Sequence, residues 1–553
     1  MLPILALPLA FIVTPWLAVR NLYPRASPEL HFGLTGLFAI VGNVAAPAAL
    51  HFAGVPIEPF ALATLHAATA ALLVALTGWR ALPWRPARLM PAPGLLAAAC
   101  LFAILVLPFT HIAGIDTYKW QDAADNVRIE RRIAWFENPA SLFGFTPRSC
   151  PCAQPLVLAS VELLGSTGVD WGFYLVSILF GATALFGAYL LGLRLMGNGK
   201  DAAWLAFLYV FSPVFMRYNY WATGRGLLLT LLPMFILALL NPRPAGLWAA
   251  AALAVLLGLG HKAGLVAVAL IAPAFLLSLA LKRWTRHSLV ATALLLMGVA
   301  AVALASDRFA ATPLNLLVRP ATRLAFLAPL ALAGFLARDE WMSDPRWKAM
   351  LIASVATVPL LFAREMYGAL LALPFAAFAA AAGVRWLRER GPVADPVALQ
   401  AALVGLVLLQ AVAIVIWQAQ DSPSRAVFEA AQFIQRRDPA GPFRIEAPGR
   451  ARTQIQAYLT GCPRFTIKTR PGAALSIVHP PPLSGHPARD FQNGVTYLRQ
   501  FVVLDEAETD WYGPVSRTYY VTIGPEGFAP PDARRLYTKG NVAVYGPDDA
   551  EAR

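Results

Sequence analysis

Charge is what this sequence has least of. Asp, Glu, Lys and Arg make up 14% of its 553 residues, where a soluble domain carries roughly a quarter. Hydrophobic residues reach 58%, and the mean hydropathy is +0.57. An ordinary soluble protein is excluded: the chain is a polytopic membrane protein whose main solvent is lipid. Nucleotide- and metal-handling motifs are missing from residues 420–553. No Walker loop, GxGxxG, HExxH or serine-nucleophile elbow occurs there, so that region has no chemistry of its own. The absence of any RNA- or DNA-binding motif leaves nucleic acid out as a partner. A cleavable signal peptide is missing as well. Residues 2–19 are apolar but lack a basic start and a cleavage site, and they read as a first span. Cysteine is scarce. Cys100 falls inside a span and reads as inert. Cys150, Cys152 and Cys462 fall in segments read as extracytoplasmic, where a disulfide to the Cys-Pro-Cys turn and free or locally paired thiols are equal readings.

What is present is a series of long apolar runs. A helix needs about 20 mainly apolar residues to cross a bilayer. Such runs fall at residues 2–19, 32–53, 59–78, 94–111, 170–193, 202–216, 226–240, 245–260, 263–281, 288–305, 322–337, 348–363, 366–384 and 398–418. The expected fold is therefore a polytopic α-helical bundle of about 12–14 spans. Pro233, Pro273, Pro359 and Pro374 lie inside spans, which neighbouring helices can accommodate. Three regions follow: N-terminal spans over 1–93, a transmembrane core over 94–419, and a tail over 420–553. In the tail, residues 423–437 read as an amphipathic helix. FRIEA, RFTIK, LSIVH, RTYYVTI and NVAVYG read as short strands of a small α/β domain.

Basic residues set the orientation. The first 419 residues hold 29 Lys and Arg against 17 Asp and Glu, whereas the tail is nearly balanced at 16 against 14. The excess therefore lies beside the spans, as expected for contact with lipid head groups. One set of loops carries 17 of those 29 cations, from Arg20 through Arg390, and is assigned to the cytoplasm. The opposite loops are then extracytoplasmic, including the long loop at 112–154 and the tail. The chain reads as a multi-pass protein of the plasma (inner) membrane.

The 112–154 loop is the longest polar interruption before residue 419, and it concentrates acids: Asp116, Asp122, Asp125, Glu130 and Glu137. Asp116, just past the fourth span, sits where a carboxylate can deprotonate an acceptor hydroxyl or ligate a metal; a solvated acid that ends a helix is the competing reading. DAADNVRIERRIAWF reads as an amphipathic helix on the membrane, with Asp122 and Asp125 on its polar side. QPLVLASVELLG is too short to span and reads as a re-entrant or interfacial helix. Its Glu162 is an acid in an expensive place, either functional or paired with an Arg. Cations also occur on the outward side: Arg217 and Arg225 bracketing RYNYWATGR, His261 and Lys262 in GLGHKAGL, and Arg308, Arg319, Arg323 and Arg364. Singly, each reads as a snorkelling end; together, they suit a lipid phosphate.

These stretches resemble the GT-C superfamily of integral membrane glycosyltransferases, nearest to its protein O-mannosyltransferase-like and lipid A aminoarabinose-transferase-like branches. GIDTYKWQDAADNVRIERRIAWFENP stands where that family has an acidic first large loop. QPLVLASVELLGSTGVDWGFYLVSILFGATALFGAYLLGLRLMG resembles the helix–span unit that follows it. KDAAWLAFLYVFSPVFMRYNYWATGRGLLLTLLPMFILALL resembles the next pair of spans. The resemblance covers roughly residues 100–280 and implies a sugar taken from a polyprenyl-phosphate carrier at the outer face. The acceptor would be a lipid, glycan or protein hydroxyl, and transfer usually inverts the anomeric centre. It implies Asp116 as general base, with outward Arg, Lys and His at the carrier phosphate. The expected site is Asp116 and Glu162 for catalysis, with Tyr118, Asp122, Arg217, Arg225, His261, Lys262 and Arg364 for substrate. No cofactor is required by these residues; Mg or Mn is a candidate, with its ligands unknown. A transporter or flippase of lipid-linked saccharide, and a non-catalytic membrane scaffold, are the alternatives.

Overall fold

The computed structural model describes residues 2–77, 91–107, 117, 120–121, 124, 127–128, 131–133, 153–167, 169–220, 222–241, 243–280, 323–336, 344–363, 365–390, 395–420, 425–437, 443–447, 517–525 and 529–546. It is helical apart from a small C-terminal sheet. The first span is built from α1 (Leu2–Pro8), a π-helical turn (Leu9–Val13) and α2 (Thr14–Leu22). Then come α3 (Pro28–Phe52), α4 (Pro59–Thr77), α5 (Pro93–Leu105), α6 (Ala153–Gly165) and α7 (Val169–Met196). The chain continues through α8 (Gly199–Val210), α9 (Pro213–Asn219), α10 (Gly224–Leu239), α11 (Pro244–Gly260) and α12 (Lys262–Ala280). Next are α13 (Leu327–Phe335), α14 (Pro345–Ala363), α15 (Glu365–Arg390) and α16 (Pro396–Gln420). Among the described residues, six helices are long and apolar enough to cross a membrane, and several shorter apolar helices accompany them. The expected multi-pass helical architecture is thus observed; the 288–305 run, RFTIK and LSIVH lie outside the described residues.

Proline sets many of the helix starts. α3, α4, α5, α9, α11, α14 and α16 each begin on one. Its fixed φ suits the first turn, and the N–H it lacks would have no intrahelical partner there. The run expected as one span at 202–216 is broken for the same reason. Pro213 begins α9, and the Ser212 hydroxyl caps it by accepting the Phe215 N–H at 3.1 Å.

The chain divides into two units. The first comprises Met1–Ala45, Ala63–Leu107 and Phe173–Trp417. Its polar contacts mostly satisfy backbone groups that lipid cannot. Pro233 inside α10 has no N–H to give the Leu229 carbonyl, and the buried Tyr209 hydroxyl donates to that oxygen at 2.6 Å instead. At the end of α7, Arg346 and the Trp347 indole donate to the Arg194 and Leu195 carbonyls at 2.7 and 2.9 Å. Asp201, buried at the start of α8, pairs with Arg388 at 3.0 Å from the last turns of α15. Backbones approach closely where α13 meets α15. A Cβ on Gly383 would lie 2.0 Å from the Leu330 oxygen, so a side chain there has no room.

The second unit comprises Ala46–Leu62, Pro108–Gly172 and Gln418–Arg553. Its C-terminal part packs α17 (Arg425–Arg437) on a sheet of β1 (Phe443–Glu446), β2 (Arg517–Ile523), β3 (Arg534–Lys539) and β4 (Val542–Gly546). The strand order is β1-β2-β4-β3, with β1 parallel to β2 and the other pairs antiparallel. Val427, Ala430, Ala431 and Ile434 recur at helical spacing and meet Tyr519, Val521, Val542 and Val544. Sequence reading anticipated α17, β1, β2 and β4 but missed β3, whose charged RRLYTK hides its alternation at the sheet edge. Across the helix–sheet boundary, Glu429 pairs with Lys539 and, at 2.9 Å, with Arg425. The Tyr537 hydroxyl donates to it at 3.3 Å. Lys539 first, then Arg425, hold the Glu429 carboxyl below its ordinary value.

Two outcomes are expected. Tyr209→Phe leaves the Leu229 carbonyl buried without a donor, at a cost of about 1–3 kcal/mol; thermal unfolding in detergent should show a clear drop in melting temperature. Because the folded pKa of Glu429 is depressed, its pairing stabilises above the unfolded value near 4.5 and is lost as pH falls through the folded one. Amide protection in α17 and β3, taken relative to the intrinsic exchange rate at each pH, should stay flat from neutral pH to about 5, then fall in acid. Glu429→Gln should remove that acid limb.

Candidate functional site

In the first unit, cations and aromatics alternate along the same ends of five neighbouring segments. α9 finishes with Arg217, Tyr218 and Asn219; α10 starts with Gly224, Arg225 and Gly226. The Arg217 guanidinium lies 5.7 Å from the Tyr218 ring centre, and the Arg225 guanidinium 5.4 Å from the same ring. Arg217 also stands 4.8 Å over Trp417 near the end of α16. Arg225 reaches 5.9 Å from Tyr367 in the first turn of α15, and Tyr367 lies 5.8 Å from His261. The row reads Trp417, Arg217, Tyr218, Arg225, Tyr367, His261. Ring faces are electron-rich, so each guanidinium is held by about 0.5–2 kcal/mol per contact. Burial raises the Tyr218 phenol, against opposing pulls from Arg217, Arg225 and Arg323. Three positive charges therefore act on one buried ring.

Local bonding fixes this geometry. The Ser177 hydroxyl on α7 donates to the Asn219 carbonyl at 2.8 Å, and the Asn219 amide donates back to the Ser177 carbonyl at 3.0 Å. The Thr223 hydroxyl donates to the Tyr218 carbonyl at 3.4 Å. Ala222 takes a φ of +40° to close the turn. A Cβ on Gly226 would come within 2.8 Å of the Tyr218 oxygen, so only glycine lets α10 start this close to α9.

His261 stands at the head of α12. Its Nδ1 accepts the Ala263 N–H at 3.0 Å, capping that helix. A ring nitrogen that accepts carries no proton, so the geometry calls for the tautomer with its hydrogen on Nε2. At His261 the structure adds a helix-capping role, with Nδ1 taken up by the Ala263 N–H.

In the second unit, α6 is buried from Ala153 through Leu164. It does not present one face to lipid head groups as an interfacial helix would. Glu162 is 3% exposed, and the Gln121 amide donates to both of its carboxylate oxygens, at 3.1 and 3.3 Å. Gly172 leaves room for it, since a Cβ there would touch Glu162 Oε1 at 3.1 Å. Thr117, Trp120, Gln121, Ala124, Val127 and Arg128 are helical, with Thr117, Gln121, Ala124 and Val127 buried. The segment is pinned to the turn between α3 and α4. Arg131 pairs with Glu58, its carbonyl accepts the Ile57 N–H at 2.7 Å, and the Ile133 N–H donates to His51 Nδ1 at 3.2 Å.

Of the residues singled out from sequence, Arg217, Arg225 and His261 belong to the aromatic–cation row, and Glu162 lies with Gln121. Asp116, Tyr118, Asp122 and Arg364 lie outside the described residues, as does the Lys262 side chain. Sequence reasoning missed Gln121, Tyr218, Tyr367 and Trp417. Tyr218 had a signal, an aromatic inside the Arg-bracketed RYNYWATGR; Gln121, neutral and unremarkable in spacing, had none. Among the described residues, no three His, Cys, Asp or Glu side chains group to hold a metal.

No protein-family model matches the chain, and no curated protein matches it in sequence. Two solved structures are similar to it in part of their fold. The archaeal oligosaccharyltransferase AglB from Archaeoglobus fulgidus, solved with an inhibitory peptide and a dolichol-phosphate, aligns over 66% of this chain and 63% of its own. The identity is 14% and the TM-score 0.43. ArnT from Cupriavidus metallidurans, solved bound to undecaprenyl phosphate, aligns over 85% of this chain and 98% of its own, with 14% identity and a TM-score of 0.49. At these values, any function assigned to this chain rests on its own side chains.

The His261 cap gives a direct expectation. A lost cap costs about 0.5–2 kcal/mol, so His261→Ala should lower the melting temperature and speed amide exchange in the first turn of α12. His261→Asn keeps an acceptor for the Ala263 N–H and should recover most of both.

Proposed function

We propose that this chain transfers a sugar from a polyprenyl-phosphate-linked donor to a hydroxyl of an envelope lipid, glycan or protein, on the extracytoplasmic face. One observation carries the reading: the guanidiniums of Arg217 and Arg225 are held by aromatic rings beside Arg323. When the anomeric C–O bond of such a donor breaks, its electron pair stays on the carrier phosphate, whose charge rises from about −1 to −2. Cations fixed beforehand gain most from charge that appears in the transition state, which lowers the barrier. Arginine suits the task because its planar fork matches two phosphate oxygens.

Asp116 is the base in this reading. It takes the acceptor's proton as the acceptor oxygen bonds to the anomeric carbon. Glu162, oriented by Gln121, positions the acceptor. His261 donates from Nε2 towards the leaving phosphate, and Lys262 and Arg364 add charge near it. Tyr118 and Asp122 contact the sugar. The phosphate end of the donor is thereby assigned to one set of residues and the acceptor end to another. A second reading, transport of a lipid-linked saccharide, is favoured by one observation. His66 is buried within α4, and ionisable residues inside spans are a mark of transport paths.

The test is sugar transfer from a panel of polyprenyl-phosphate donors by purified protein with envelope acceptors supplied. Asp116→Asn should cut kcat by about 100-fold or more, and Arg217→Ala should lower kcat while weakening donor binding. Equal transfer by wild type and Asp116→Asn would remove Asp116 from the mechanism. Flux of lipid-linked sugar across proteoliposomes without transfer, unchanged by Asp116→Asn, would favour the transport reading.

A further inference from the structure

Tyr218 is 3% exposed, and its position is fixed several times over. The Arg217 and Arg225 guanidiniums lie 5.7 and 5.4 Å from the ring centre, its carbonyl accepts from Thr223, and the next residue is tied to Ser177 in both directions. None of these interactions uses the hydroxyl, which has no hydrogen-bond partner among the described residues. That is unlike the other deeply buried tyrosine nearby, Tyr209, whose hydroxyl is engaged by the Leu229 carbonyl. Phenylalanine would keep the same ring contacts, so packing alone does not call for the oxygen. Burial also holds this phenol in its protonated form, so it is a donor. A neutral O–H among positive charges is suited to an anionic acceptor.

We propose that the Tyr218 hydroxyl is a further ligand of the carrier lipid's phosphate, donating to an oxygen that Arg217 and Arg225 leave unengaged, and that it sets preference for a phosphorylated over an unphosphorylated lipid. This rests on the carrier-phosphate reading above and deepens it. Guanidiniums attract any anion over several ångströms, whereas a single O–H donor is short-ranged and directional. Tyr218 therefore adds geometric choice to a site whose charge alone would be tolerant. A phosphate oxygen is the expected partner because two guanidiniums lie within 6 Å of the centre of the ring that carries the hydroxyl; a sugar hydroxyl is the alternative acceptor.

The experiment uses the full chain in lipid nanodiscs, titrated with a polyprenyl monophosphate and, separately, with the matching polyprenol. Tyr218→Phe keeps the ring and both cation–π contacts and removes only the oxygen. A hydrogen bond to a charged group is strong enough that its loss should weaken monophosphate binding about tenfold or more. Polyprenol affinity should be unchanged. The ratio of the two affinities is the deciding readout, because general loosening of the fold lowers both together and leaves the ratio where it was. An unchanged ratio in Tyr218→Phe overturns the proposal, and a change in polyprenol binding alone does so as well. Arg217→Ala and Arg225→Ala are measured in parallel. If they weaken monophosphate binding and Tyr218→Phe does not, only the tyrosine assignment fails. If none of the three weakens it, the carrier-phosphate reading itself fails. A monophosphate affinity that is unchanged, combined with weaker binding of the glycosylated donor, assigns the hydroxyl to the sugar and overturns the phosphate assignment.

Discussion

Two hydrogen bonds running in opposite directions between Ser177 and Asn219 hold the turn that carries the candidate site. They tie the turn between α9 and α10 to α7, away from water that would compete for the same groups. Arg217 and Tyr218 lie immediately before Asn219, and Arg225 a short turn after it. Their mutual placement is therefore a backbone property before it is a side-chain property. The positive φ at Ala222 and the absence of a side chain at Gly226 belong to the same device. A turn that bends this sharply brings two arginines to one ring, and repulsion between them is offset by the ring faces.

The same rule, that no buried backbone group goes without a partner, explains how the surrounding bundle tolerates its prolines. Pro233 removes a donor from α10, and Tyr209 supplies one from α8. The π-helical turn in the first span is met by Asn43, whose amide donates to the Ala10 carbonyl at 3.4 Å. In water such irregularities would be solvated at little cost. In lipid each demands a particular polar side chain at a particular height, and those side chains in turn fix which helices neighbour which.

Much of the architecture was legible from the residues. Apolar runs of span length and prolines at their starts marked most helices, because lipid imposes one period and one length. The tail's helix and three of its four described strands were legible from alternation. The break at Ser212-Pro213 was not drawn, although both residues are helix-start signals, because the apolar pattern runs straight through it. The site was legible only in its charges. Arg217, Arg225 and Glu162 stand out in an apolar sequence because ionised groups are rare there. Gln121 and Tyr367 do not stand out: an amide or a phenol joins a candidate site only through what it faces, and that is decided by tertiary contact. His261 was legible as a residue but not in its state, since the bond that fixes its tautomer comes from backbone two positions ahead.

The aromatic–cation row has a further property that follows from its being a line. Within the row, successive members are paired from Trp417 at one end to His261 at the other. Genetically, such an arrangement behaves as nearest neighbours. Replacing an inner member such as Arg225 removes two of the row's contacts, to Tyr218 and to Tyr367, whereas losing Trp417 removes its one contact with Arg217. Changes at adjacent members overlap in effect because they break a shared contact, while changes at separated members combine nearly independently. Variation is then best tolerated at the ends. The row's position in the chain matches this: its outermost aromatic, Trp417, is carried by α16, a helix with most of its surface outside the bundle.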